Sequence, residues 1–135
     1  MIAESPILRI DLESPVPVYE QVSDGIRTEL VAGRLRPGDP LPTVRELALS
    51  LGVHHNTVAE AYRLLAREGW LDLRRRRGAL VVERQHPAPT EQAEVEFARR
   101  SRELVAKAVT QGLPKPIVAA QLRALSEELE QGDSK

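Results

Sequence analysis

Between Val18 and Val31 the chain reads VYEQVSDGIRTELV, with Val22, Ile26 and Leu30 four residues apart and Tyr19 on the same side. That spacing predicts an amphipathic helix with one buried stripe. Pro17 suits its first position, where an amide N–H would have no helical partner, and Gly33 is placed to stop it. Residues 34–42, RLRPGDPLP, are too rich in proline for a regular element and read as a loop. Next, TVREL carries a capping box with Thr43 at the N-cap and Glu46 three residues on. Val44, Leu47, Ala48 and Leu51 then give one apolar face ending at Gly52, which predicts a two-turn helix. After a tight glycine turn, Val58, Ala61, Tyr62 and Leu65 repeat at i, i+3, i+4 and i+7 until Gly69, a third helix. Two helices joined by such a turn predict a helix-turn-helix.

Around this motif the pattern changes. Ahead of it, Ile7, Leu8, Ile10 and Leu12 alternate with polar residues in PILRIDLESPVP and are expected to form an extended edge segment. Behind it, WLDL and ALVV are short β-prone runs either side of RRRRG, the signature of a hairpin. A helix-turn-helix followed by a basic hairpin is a winged helix. QHPAPT is a polar, proline-rich hinge with the boundary at about residue 86. Beyond it lie two further helical patterns, Phe97, Ser101, Leu104, Val105 and Ala108 in one and Val118, Leu122, Leu125 and Leu129 in the other, separated by GLPKP. The expected fold is mainly α with a small β-hairpin: a winged helix-turn-helix domain over residues 1–85 and a two-helix segment over 86–135. Two helices cannot bury both apolar stripes between themselves. Phe97, Leu104, Val105, Val118, Leu122, Leu125 and Leu129 are therefore expected to hold a homodimer together.

Composition narrows the chemistry. Aromatic residues make up only 3% of the chain, so the core must rest on Leu, Val, Ile and Ala. Cysteine is absent, which removes disulfides and thiolate metal sites and fits a reducing compartment. No stretch approaches the roughly 18 apolar residues of a membrane span, and the N-terminus MIAESPILRIDLESP lacks the basic start and apolar run of a secretory signal. The expectation is a cytoplasmic, nucleoid-associated protein with no membrane partner. A formal net charge of -1 would argue against a polyanionic partner, but the charge is unevenly placed. Residues 34–84 carry ten Arg against six acids, whereas residues 1–33 carry two Arg against six. The basic excess surrounds the helix-turn-helix, and local charge decides where a polyanion settles.

At the start of the third helix stand His54, His55, Asn56 and Thr57. In a helix-turn-helix this end of the second helix enters the major groove of DNA. There Asn can pair with adenine, Thr can touch a thymine methyl or a phosphate, and His can donate to guanine or phosphate. His54 can equally cap the helix, and Thr57 can bond locally to the backbone. A metal site is disfavoured because adjacent helical residues diverge by about 100° and His86 is the only other histidine. Catalysis is disfavoured too, since no nucleophile, carboxylate pair or Gly-rich phosphate loop accompanies them, and no cofactor is expected. Arg74, Arg75, Arg76 and Arg77 are either a solvated turn or a wing tip on DNA; their mutual repulsion favours an anionic partner. Arg45 can face the DNA backbone or pair with Glu46 or Asp39.

Taken together, the strings GRLRPGDPLPTVRELA and NTVAEAYRLLAREG resemble those of the GntR family of bacterial transcription regulators. The start RIDLESPVPVYEQV and the short two-helix tail are similar to its YtrA-type subfamily, whose tail serves dimerisation. The resemblance implies that Arg45 contacts DNA, that His55, Asn56 and Thr57 lie in the operator groove, and that Arg77 and Gly78 form the wing tip at the minor groove. The family often has Arg where this chain has His55 and Ala59, so two common DNA-contacting arms are missing here. The expected function is a sequence-specific regulator, a repressor by preference, bound as a homodimer to an inverted-repeat operator in double-stranded DNA, such as that of a transporter operon. The competing reading is a winged helix that docks on an acidic protein. No small-molecule effector is assigned, because two amphipathic helices are too few to enclose a pocket of about 300 Å³ by themselves.

Overall fold

A computed structural model describes residues 8–73 and 78–133, so Arg74, Arg75, Arg76 and Arg77 lie outside the described residues. The chain divides into two compact units, Met1–Gln85 and His86–Lys135. In the first, α1 (Val18–Val31), α2 (Val44–Leu51) and α3 (His55–Arg67) are followed by strands β1 (Leu71–Asp72) and β2 (Leu80–Val81). Both α1 and α2 pack on α3. The apolar stripes meet in one core: Val22, Ile26 and Leu30 from α1, Leu47 and Ala48 from α2, and Val58, Ala61, Tyr62 and Leu65 from α3 are all buried. Polar groups drawn into this core are satisfied. Ser23 donates to the Glu20 carbonyl at 3.0 Å, and the buried Glu29 carboxylate pairs with Arg34.

The helix ends follow from local chemistry. Thr43 Oγ1 accepts the Glu46 N–H at 3.1 Å while a Glu46 carboxylate oxygen accepts the Thr43 N–H at 2.8 Å, a reciprocal capping box. These bonds favour the charged form and hold the Glu46 carboxyl below its usual range. Gly52 adopts φ 70°, which lets the Val53 N–H turn back to the Ala48 carbonyl at 3.0 Å and aims the chain into α3. A fork from Arg27 to Glu68, at 3.0 and 2.8 Å, ties α1 to the end of α3. Arg84 then donates to the Glu68 carbonyl at 2.8 Å and lies over the Trp70 ring, 4.8 Å from its centre.

Two sequence expectations need correction. The N-terminal segment is not a strand: its described residues pair with no neighbour in a sheet, Leu12 is exposed, and Ile7 falls outside the described residues. Leu8 is instead buried on α1, where Gly25 makes room; a Cβ on Gly25 would meet Leu8 Cδ1 at 2.3 Å. Gln21 clamps the segment, accepting the Asp11 N–H at 2.8 Å and donating to the Asp11 carbonyl at 2.9 Å. The hairpin strands are also shorter than WLDL and ALVV, with only Leu71↔Val81 and Asp72↔Leu80 in antiparallel register. The proline-rich loop supplies the missing support. Pro40 bridges Leu80, and the Leu41 N–H reaches the Ala79 carbonyl at 2.9 Å. Prolines deny that loop a regular ladder, so it pairs as an irregular third strand.

The second unit contains α4 (Glu91–Thr110) and α5 (Lys115–Asp133), which pack on each other. Thr90 caps α4 by accepting the Ala93 N–H at 3.0 Å, and Glu91 and Glu94 complement the first-turn dipole. Among the residues expected at a dimer contact, Val118 departs from the pattern: it is buried within a single chain and cannot belong to an exposed stripe. Phe97 and Leu104 are about 70% exposed and Leu122, Leu125 and Leu129 about half exposed, while Val105 is half-buried. Between the helices runs an open groove of about 790 Å³ lined by Phe97, Val105, Val109 and Leu122. Among the described residues no helix is long and apolar enough to cross a membrane.

Candidate nucleic-acid interface

The exposed side of α3 follows from its periodicity. At about 100° per residue, His55, Ala59, Arg63, Asn56, Arg67 and Glu60 succeed one another within an arc of roughly 140°. Val58, Ala61, Tyr62 and Leu65 point the other way and are buried, so the arc is presented outward. It carries two arginines against one carboxylate.

His54 lies at the N-cap, just before this arc. Its Nδ1 accepts the Asn56 N–H at 3.0 Å, so the capping alternative describes what this nitrogen does. With Nδ1 taken up by that bond, Nε2 is the ring nitrogen left to face a partner. The ring stacks on His55 with centroids 4.4 Å apart. A histidine whose Nδ1 is already engaged and whose ring lies against its neighbour is poorly arranged for joint chelation. Among the described residues no group of three or more His, Cys, Asp and Glu converges. Asn56 is exposed and Thr57 half-buried. Neither side chain is engaged by another described residue, and Thr57 joins the local backbone only through its N–H, 3.0 Å from the His54 carbonyl.

Beside this face lies a cleft of about 460 Å³. Thr43, Val44 and Arg45 line it from the start of α2, Ala59, Tyr62 and Arg63 from α3, and Leu73 and Gly78 from the hairpin. Tyr62 is held in place by its hydroxyl, which donates to the Pro42 carbonyl at 2.7 Å; burial pushes this phenol's pKa well up, so it stays protonated and able to donate. Gly78 closes one wall. It adopts φ 104°, and a Cβ there would come within 3.2 Å of the Leu41 carbonyl and 3.3 Å of Thr43 Cα. Its visible role is thus to let the hairpin approach α2. Arg45 is exposed and forms no ion pair with Glu46 or Asp39, since Glu46 is occupied by Thr43 and Asp39 accepts the Arg36 N–H.

Sequence reasoning missed Arg63. It stands seven residues after Asn56 and four after Ala59, the i, i+3, i+7 spacing of one helix face, so the signal was present in the period. Like Arg45 it is exposed and unpaired among the described residues.

A helix that starts at two histidines, an asparagine and a threonine and turns an arginine-bearing face outward, with a cleft lined by Arg45 and Arg63 and a hairpin beside it, defines a winged helix-turn-helix of the kind that reads nucleic acid. Residues 18–81 match the family model described as bacterial regulatory proteins, gntR family. The HTH-type transcriptional repressor YtrA of Bacillus subtilis is 40% identical over 77 residues, 57% of this chain and 59% of that protein. The solved structure of YtrA from Sulfolobus acidocaldarius, a GntR-family transcription factor, superposes with a TM-score of 0.55 at 36% identity, covering 73% of this chain and 98% of that one. The DNA-binding domain of AraR, solved in complex with operator ORX1, superposes with a TM-score of 0.51 at 28% identity over 56% of this chain and 96% of that domain. The chain belongs to the GntR family and to its YtrA-like branch. It matches about three fifths of the length of the curated relatives compared.

Proposed function

We propose that this protein is a sequence-specific DNA-binding transcriptional regulator, a repressor, that acts as a homodimer on an inverted-repeat operator. The observation that carries the reading is the N-terminal end of α3, which would enter the major groove: the side chains of Asn56 and Thr57 stand unengaged there, and the outward face that continues from it carries Arg63 and Arg67. Asn56 supplies an amide able to pair with adenine, Thr57 a methyl and hydroxyl, and His55 a ring donor. Arg45 and the arginines at positions 74–77 contact the sugar-phosphate backbone, and Arg77 with Gly78 approaches the minor groove. The exposed apolar positions of α4 and α5 support self-association, which would set two reading helices about a two-fold axis. YtrA of Bacillus subtilis, a relative in the matched region, is named as a repressor, which supports that sign of regulation. The role is recognition without catalysis or cofactor, exercised at the nucleoid in the cytoplasm, and a transporter operon is the target class proposed. Selecting bound duplexes from a random pool tests it. An enriched inverted repeat is the expected result; a protein that binds no duplex, or enriches no sequence, overturns it.

A further inference from the structure

We propose that Arg63 contacts DNA: with Arg45 it forms a two-armed seat for one backbone phosphate in the cleft between α3, the start of α2 and the wing. The inference rests on the DNA-binding reading and adds to it a residue and a place on the strand. Three observations carry it. First, Arg45 and Arg63 come from different helices yet line the same cleft, and both are exposed without an ion pair to any described residue. Two unpaired arginines lining one hollow give it a positive charge that nothing within the described residues neutralises, and an anion seated there would be attracted by both. Second, the residue one turn before Arg63 on the same face is Ala59, whose methyl leaves the hollow open where a longer side chain would fill it. Arg63 can reach across that methyl toward a strand lying over the cleft. Third, the nearest carboxylate on α2 is diverted. Glu46 is turned into the capping box with Thr43, so it does not neutralise Arg45 from within.

The chemistry selects phosphate rather than a base edge. Arg63 lies two turns beyond Asn56, and the cleft it lines is walled by Gly78 of the hairpin as well as by α2, the place where a strand passing out of the major groove would run toward the wing. A phosphate contact carries no sequence information and releases condensed counterions, so its signature is a change in salt dependence shared by all duplexes.

The test compares wild type, Arg63→Ala, Arg63→Lys and a tail control, Arg123→Ala, on a random-sequence duplex and on a duplex enriched by selection, across a salt series. For Arg63→Ala the slope of log affinity against log salt should fall by about 1 per bound chain, and affinity should drop roughly tenfold on both duplexes. Arg63→Lys should keep the slope, and Arg123→Ala should match wild type. Thermal melting, expected to be unchanged because the side chain is exposed and unpaired, separates lost contact from lost fold. If Arg63→Ala binds as wild type does, the seat is refuted while the DNA-binding reading stands. A loss confined to the selected duplex also refutes it, since that would make Arg63 a base reader. If wild type binds neither duplex, it is the DNA-binding reading itself that fails.

Discussion

At the scale of single residues, α3 separates reading from holding. His54 spends Nδ1 on the Asn56 amide, so it fixes where the helix begins. Asn56 and Thr57, one and two residues into the first turn, keep their side-chain donors and acceptors for a partner. Because neither is charged, Asn56→Ala and Thr57→Ala should each cost roughly 1–3 kcal/mol on the selected operator and little on random duplex. Gel-shift titrations of both duplexes measure this, and equal losses on the two would show that these side chains read no base. A second residue-scale prediction concerns Glu46, whose carboxyl is held below its ordinary range by bonds from Thr43. A depressed folded-state pKa adds stability that is present above the unfolded value and disappears as pH falls through the folded one. Glu46→Ala should therefore melt earlier than wild type at neutral pH, with the gap closing as pH drops below about 4. A gap that stays constant to low pH would mean the charged capping box contributes nothing.

At the scale of elements, the three helices of the first unit are legible in the sequence because each has a period near 3.6 and a chemical stop: Gly33, Gly52 and Gly69. The sheet is less legible, for a physical reason. Its strands are two residues long, and their support comes from Pro40 and Leu41, residues whose local signal is loop. Leu8 is a second case: alternation suggests an edge strand, whereas its seat is created by Gly25, seventeen positions away, and a local period carries no signal across such a distance. The cleft was partly readable. Arg45 and Gly78 were expected near DNA from family resemblance, but that Gly78 packs on Leu41 and Thr43 depends on where the hairpin lies. A testable consequence follows for the wing. Gly78→Val places a branched side chain at φ 104° against backbone atoms that cannot yield, and should destabilise the first unit by about 1–3 kcal/mol. Chemical denaturation checks it; a Gly78→Val protein as stable as wild type would show that the hairpin does not press on the start of α2.

For the whole molecule, the question is what covers the apolar surface of α4 and α5. Leu122, Leu125 and Leu129 recur at three- and four-residue spacing along α5 and remain about half exposed, Phe97 and Leu104 of α4 more so, while Val118 is already buried without any partner chain. With Val95, Leu113 and Ile117, which are exposed as well, eight large apolar side chains of a fifty-residue unit lie in water, a surface that association would stabilise at about 25 cal/mol for each Å² removed from water. A second copy covering it would make the contact two-fold, and a two-fold pair of reading helices calls for an inverted repeat. Leu125→Asp puts a charge into the middle of this stripe without touching the first unit's core, to which α5 contributes no residue. The variant should sediment as a monomer, keep the wild-type melting of the winged-helix unit, and bind the full operator no more tightly than a half-site. Truncation after Gln85 retains every residue of that core and should behave the same way. A truncated chain that still sediments as a dimer would move the association surface to the winged helix, whereas a Leu125→Asp protein that stays dimeric while the truncation does not would leave the tail responsible and shift the contact from α5 to the exposed face of α4.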